Sequence, residues 1–327
     1  MIFLRNNKKL ILGLVISFIV GFFSYGLFVK TSLIDSCNSK AHIFINPELD
    51  CINFDDVSLR IHEREVEVKE YIDSAISLNK ARRVSVFFRD FKSKKWFGIN
   101  QLDNFSPGSI LKLPIAIAYY KLAEIDQNFL LQEIVYKSDK KSLNDLQYFK
   151  TAEPLINNQR YSLKNLIDRM IIDSDNDVVP LLLGNINPNF YEKVMLDLGV
   201  RIPLAQDGGV HADFFSASAY SAMLRSLFNS SYLNLNQSEN ILNIMSKSTF
   251  TQGLVAGLPK DIKVAHKFGE AVAVDSATNK VVKIEMHDCG IVYKKDNPYI
   301  ICVMTEGSKF EDLTKIISDI SSIVWKD

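Results

Sequence analysis

The sequence predicts an α/β (α+β) fold, with one antiparallel sheet flanked by N- and C-terminal helices and an all-helical subdomain beside it. Three observations point there. Strand-like alternation occurs early in the chain and again near its end. The long stretch between is dominated by apolar residues at helical spacing, and amphipathic helical patterns bracket the whole. Strands from the two ends then pair in one sheet, the middle block becomes a separate layer, and a cleft is expected where they meet.

The chain has 327 residues, with 38 Lys and Arg balanced by 38 Asp and Glu, enough for one large domain or two modest ones with a real core. Zero net charge and the lack of a basic stripe with interleaved aromatics argue against nucleic-acid binding. No Cys-x-x-Cys or His-Glu-x-x-His pattern occurs, so a metal site has little support. No organic cofactor is expected either, and the expected state is a monomer.

At the N-terminus Arg5, Lys8 and Lys9 precede an uncharged apolar run from Leu10 to Val29, the length of about one bilayer core. Basic residues on that side favour a cytoplasmic N-terminus. Residues 1–30 are therefore expected to be a transmembrane signal anchor, 31–57 a polar tether, and 58–327 a domain facing the periplasm or the extracellular side. The alternative is a cleaved signal peptide, and either one exports the domain. Export permits disulfides. Cys37 with Cys51 would close a short loop, while Cys289 and Cys302 fall on two arms of a hairpin, either facing each other as a disulfide or packed as free thiols.

Taken in order, residues 58–79 carry Ile61, Val66, Val68, Tyr71, Ile72, Ala75 and Ile76 roughly at helical period. Residues 82–91 alternate as a strand, and 95–100 return as its partner across Lys92-Ser93-Lys94. Helical segments follow at 111–125, 163–172, 177–183, 189–198, 216–228 and 238–245. The strand signal resumes at 264–268, 281–294 and 299–305, with Asp296-Asn297-Pro298 as the last turn, and 310–324 closes as an amphipathic helix. The helical subdomain is expected over about 106–255.

Serine-x-x-lysine, which stacks a nucleophile and a base on one turn, occurs at Ser77/Lys80, Ser109/Lys112 and Ser138/Lys141. A lysine serves as the base only if burial draws its pKa down from about 10.4. Around Lys112 the residues Ile110, Leu111, Leu113, Pro114 and Ile115 could supply that burial, while what sets this match apart from the other two is its order along the chain. Two further stretches follow in order: Ser174-Asp175-Asn176 after an apolar helix, and Lys267-Phe268-Gly269 on a strand. Taken singly, the first reads as a helix cap or turn and the second as a strand end with a bulge.

Together the three resemble the serine-x-x-lysine, Ser-Asp-Asn and Lys-Thr-Gly signatures of penicillin-binding proteins and class A β-lactamases. The resemblance covers the chain from about Arg82 to its end. It implies a β-lactamase/transpeptidase-like fold, with the site between sheet and helical subdomain, and an acyl-enzyme mechanism on a β-lactam or a D-alanyl-D-alanine-type peptidoglycan amide. Ser109 would be the nucleophile and Lys112 its base. Ser174 would pass a proton to the leaving nitrogen, and Asn176 would hydrogen-bond the substrate or Lys112. Lys267 would face the substrate's carboxylate and hold Lys112 deprotonated, with Phe268 and Gly269 beside it. The backbone N–H groups of Ser109 and Glu270 would form the oxyanion hole.

Two departures stand out. Phe268 replaces the family's threonine or serine, a loss worth about 1–2 kcal/mol in substrate recognition. The stretch 199–216, where class A enzymes carry a deacylating glutamate, has none; Asp207, His211 and Asp213 are either substitutes or ordinary loop residues. The leading expectation is thus a β-lactamase-like serine hydrolase. The alternatives are a D,D-carboxypeptidase or penicillin-binding protein with slow β-lactam turnover, and a non-catalytic sensing domain on the same fold. Of the remaining polar residues, His266 is read as facing away from the site and His287-Asp288 as ending a turn.

Overall fold

A computed structural model describes residues 54–150, 153–202, 213–275, 278 and 280–326, together with 17, 18 and 21. The chain divides into the units Met1–Val57 and Ser58–Asp327. The expected membrane span from Leu10 to Val29, Cys37, Cys51, Asp207 and His211 lie outside the described residues, residues 17, 18 and 21 excepted. Among the described residues, no helix is long and apolar enough to cross a membrane.

The larger unit is built on a five-stranded antiparallel sheet. Its strands are β1 (Arg83–Asp90), β2 (Trp96–Ile99), β5 (Val264–Val274), β6 (Val281–Val292) and β7 (Tyr299–Gly307), in the spatial order β2-β1-β7-β6-β5. The C-terminal β7 pairs with β1 over its whole length, from Arg83↔Glu306 to Asp90↔Tyr299, so the two ends of the domain meet at the sheet's centre, as the strand pattern predicts. β7 is buried at every position, which is why it reads as a continuous apolar run rather than an alternation. Cys289 on β6 and Cys302 on β7 stand opposite each other in register and form a disulfide.

One face of the sheet is covered by α8 (Phe310–Trp325), whose Leu313, Ile316, Ile317 and Ile320 are fully buried. Beside it runs α1 (Phe54–Ser77), joined to it by Tyr71 Oη donating to Asp319 at 2.7 Å. The remaining helices are α2 (Lys112–Ala123), α3 (Leu163–Ile172), α4 (Val178–Gly184), α5 (Pro188–Asp197), α6 (Ala217–Phe228) and α7 (Leu235–Met245). Here α6 packs on β1, β6 and β7, and α2 runs through the centre of the block, buried on nearly all sides (Leu113, Ile117, Tyr119 and Tyr120). That all-round apolarity is what a core helix requires.

Side-chain caps account for several helix starts. Ser162, Ser216 and Asn234 accept from Asn165, Ala219 and Gln237 N–H, and Asn187 caps α5 ahead of Pro188. The Asn234 cap starts α7 at Leu235, a turn before the pattern predicts. A small sheet, β3 (Glu133–Val135) with β4 (Arg160–Ser162), is not visible in the sequence, because three-residue strands carry too short a period.

Two expectations are corrected. β5 does not end at Phe268 but runs on to Val274, and β6 starts at Val281 to pair with it. His287 and Asp288 consequently lie in mid-strand rather than at a turn. They are fully buried and paired: His287 Nε2 lies 2.8 Å from the Ser106 carbonyl, and Asp288 Oδ1 is 2.8 Å from His266 Nδ1. Covered on both faces, the strand carries polar residues wherever each finds a partner.

Candidate active site

Ser109 sits on a 3-10 turn, Gly108–Leu111, that runs into α2 at Lys112. Gly108 has φ +51°, and a Cβ there would stand 2.3 Å from the Glu270 carbonyl oxygen. From the other side, a Cβ on Gly269 would lie 2.8 Å from the Pro107 carbonyl oxygen and 2.9 Å from Ile110 N. The two glycines let β5 press its backbone against the turn that carries Ser109, and Ser109 and Glu270 line the same cleft. Gly269→Ala is expected to force that turn aside and slow acylation of Ser109 by about 10²-fold with the fold retained, checked by stopped-flow acylation beside a circular dichroism melt. His287 braces the same turn. Its Nε2–H donates to Ser106 O while Nδ1 accepts from Thr305 N–H, and burial pushes its pKa down to about 4, so it stays neutral.

Lys112 is buried, and its ammonium reaches three acceptors: the Ser174 carbonyl, Ser174 Oγ at 3.1 Å and Asn176 Oδ1 at 2.6 Å. Burial lowers its pKa to about 7, against the opposing pull of Asp175 and Glu270. Desolvation, rather than a neighbouring cation, is thus the leading cause of its lowered pKa. The charge repulsion expected between Lys267 and Lys112 falls on Lys267, which is lowered by burial first and by Lys112 second.

Ser174 holds φ +54°, a left-handed conformation that a serine keeps only when its surroundings enforce it. Asp175 supplies that enforcement. Fully buried, it takes Arg169 through Nε at 2.9 Å and Nη2 at 2.7 Å, Asn144 Nδ2 at 2.9 Å and Asp177 N–H at 3.0 Å. Asn144 returns the bond by accepting Asn176 N–H at 2.7 Å, and Gln147 Nε2 donates to the Ser174 carbonyl at 2.9 Å. Asn144 and Gln147 are site-building residues that sequence reasoning misses, since nothing local ties residues 144–147 to a turn some thirty positions on.

The same loop then crosses to the sheet. Tyr148 and Phe149 N–H donate to the Glu270 carboxylate at 2.7 and 3.1 Å, and Tyr148 Oη donates to Glu311. Burial raises the Glu270 pKa, while the two N–H groups, Lys112 and Lys267 hold it down.

A cleft of about 630 Å³ opens over Ser109, Lys112, Asn176 and Glu270, so the structure brings these four together at one opening. Ser174 backs it through its bonds to Lys112. Lys267 and Phe268 are fully buried and do not line it. The Lys267 ammonium rests 3.0 Å from the Phe268 carbonyl and 4.3 Å over the Phe268 ring, and that ring stacks on Phe250 at 4.2 Å. The expected meeting of Lys267 with a substrate carboxylate is therefore not made in this geometry.

Asp213 also stands apart from the cleft lining. Its oxygens pair with Lys283 at 2.6 Å and Arg83 at 3.3 Å, in a cluster with Glu285 and Glu306. Arg83 and Lys283 bind these converging carboxylates, so the cluster reads as an ion network that ties together the ends of the inner strands β1, β7 and β6.

The geometry agrees with the comparisons to known proteins. A search of the curated proteins returns no match. Among solved structures, a β-lactamase of Sphaerobacter thermophilus superposes with a TM-score of 0.65 at 17% identity, covering 79% of this chain and 94% of that one. A class A β-lactamase from Bacteroides cellulosilyticus gives 0.64 at 20% identity, over 80% and 97%. PBP-A gives 0.60 at 19% identity, over 78% and 94%. Likeness at these identities establishes a shared fold. The profile of the β-lactamase enzyme family matches residues 67–327, and the chain belongs to that family of serine hydrolases.

Proposed function

We propose that the domain forms an acyl-enzyme on Ser109 and hydrolyses it, with a β-lactam or a D-alanyl-D-alanine-type amide as the acyl donor. The observation that carries this reading is a lysine brought to about 7 by burial, one turn from a serine at the floor of an open cleft. Neutral Lys112 takes the Ser109 proton as Oγ attacks the carbonyl carbon. The N–H groups of Ser109 and Glu270 hold the oxyanion, and Ser174 delivers the proton to the departing nitrogen. Asn176 holds Lys112 and the substrate amide. Lys267 stands behind the cleft without touching substrate, and burial shifts it towards the neutral form. The domain is proposed to work outside the cytoplasmic membrane, tethered through Leu10 to Val29.

A second reading, a penicillin-binding D,D-peptidase with slow turnover, is favoured by one observation. Among the described residues, the only carboxylate lining the cleft is Glu270, and both of its oxygens are engaged by backbone N–H groups. A variant of PBP-A, 18% identical with a TM-score of 0.62, has been captured as an acyl-enzyme with penicillin G.

The test is to incubate the protein with a fluorescent penicillin, a chromogenic cephalosporin, a D-alanyl-D-alanine peptide and a simple ester. A long-lived adduct on the Ser109 peptide, absent in Ser109→Ala, supports the penicillin-binding reading. Rapid hydrolysis without accumulation supports a β-lactamase. No adduct and no turnover with any of the four overturns the proposal.

A further inference from the structure

The cleft above Ser109 is apolar and its accessible charge is negative. Leu143 and Leu146 on the crossing loop, Leu183 on α4 and Val272 on β5 face it, and all four keep more than a third of their surface exposed. An uncommitted cation is missing among the described lining residues. Lys112 spends its donors on Ser174 and Asn176, and Lys267 is sealed behind the Phe268 ring. The one carboxylate among the described lining residues, Glu270, stands at the cleft fixed by two backbone N–H groups. A second carboxylate arriving there meets a like charge and finds no uncommitted cation among the described lining residues to offset the water it sheds.

We infer that the preferred substrate is an uncharged acyl donor with an apolar acyl group, an ester or amide bearing no carboxylate beside the scissile bond. This rests on the acyl-enzyme reading of Ser109 and departs from the donors named under it, since penicillins and D-alanyl-D-alanine amides both carry a carboxylate beside the scissile bond. The direction of the acyl group follows from the wall. With the carbonyl oxygen on the Ser109 and Glu270 N–H groups, the leaving group lies towards Lys112 and Ser174. The acyl chain then runs the other way, along β5 to Val272, which shares the face of Glu270 two residues on. Attack by Ser109 Oγ forms one C–O bond and breaks the bond to the leaving oxygen or nitrogen, which receives the proton through Lys112. Water then releases the carboxylic acid and restores Ser109. Apolar side chains left exposed around a nucleophile are a surface that an acyl chain covers.

The experiment uses matched probes on the intact protein. Penicillin G and its methyl ester differ only in the carboxylate, and p-nitrophenyl acetate and octanoate differ only in chain length. The methyl ester is expected to acylate Ser109 at least about tenfold faster than the acid, and octanoate to exceed acetate in kcat/KM by a similar factor. In Glu270→Gln the ester-to-acid ratio should fall several-fold. In Leu146→Asp, at a side chain 83% exposed and so without a role in folding, the octanoate-to-acetate ratio should fall several-fold. Both readouts are ratios, so a general loss of activity cancels. An acid that matches or beats its ester, or a flat chain-length profile, overturns the inference while Ser109 adducts leave the acyl-enzyme reading standing. No adduct from any probe would remove that reading itself.

Discussion

Lys112→Ala is expected to slow acylation of Ser109 by about 10²–10⁴-fold, the range lost when a positioned general base is removed. Ser109→Ala should abolish the adduct. The wild-type pH profile supplies the sharper check. Lys112 is the base only when neutral, and burial places its pKa at about 7. The acylation rate should therefore climb about tenfold per pH unit below that value and level off above it. Stability should follow with the same sign. The folded pKa lies below the unfolded value of about 10.4, so between about 7 and 10.4 the unfolded chain binds the extra proton and stability rises with pH. Below 7 both states are protonated, and the cost of the buried ammonium is fully present. Urea unfolding of wild type and Lys112→Met at pH 6 and pH 9 should show the variant's relative gain at the lower pH. An acylation rate independent of pH between 5 and 9 would remove Lys112 from the mechanism.

Asp175→Ala should be among the most destabilising single changes in the domain, at about 3–5 kcal/mol, because it strands Arg169 without its buried partner. The melting temperature should fall by about 10 °C for a domain of this size. The loss is functional as well as structural. Asp175 holds the turn that keeps Ser174 left-handed and aims Asn176, so activity should fall even where the variant remains folded. Asp175→Asn separates the two effects. It retains an acceptor for Asp177 N–H yet removes the negative charge that supports the Lys112 ammonium. The rising limb of its acylation profile should move to lower pH. A limb that stays in place would show that Asp175 acts on Lys112 through geometry alone.

The parts of the fold that were legible in the sequence are those where side-chain period and burial coincide. α3 falls on the predicted residues 163–172 because its apolar positions face one core and a serine caps it. The sheet's closure was legible because strands from both ends carry β-branched and aromatic residues in quantity. β5 was cut short where Gly269 and Glu270 interrupt the apolar run, and within the correctly placed β6 the pair His287 and Asp288 was misread as ending a turn. Each of the four serves a long-range contact, Gly269 with the Ser109 turn, Glu270 with the crossing loop, His287 with Ser106, and Asp288 with His266 and Leu254 N–H. A local pattern cannot carry that information. The Ser-Asp-Asn motif is visible as three letters, but the partners of its middle residue, Arg169 and Asn144, are found only in space. Glu270 entered the sequence reading for its backbone N–H alone. Its side chain's bridge to Tyr148 and Phe149 depends on a loop whose course no periodicity dictates.

The pairing of β1 with β7 also bears on how the molecule is made. Arg83 finds its cross-strand neighbour Glu306 more than two hundred residues downstream, so a growing chain carries its first strand unpaired on that side until almost all of it has been synthesised. The wall that supports the Ser109 turn hangs on β6, which in turn hangs on β7. A chain stopped short of Tyr299 would hold every residue of the nucleophile, base and relay, yet have no central strand on which to assemble them. Such long-range pairing makes for slow folding, and catalytic competence becomes one of the last properties a newly made copy acquires.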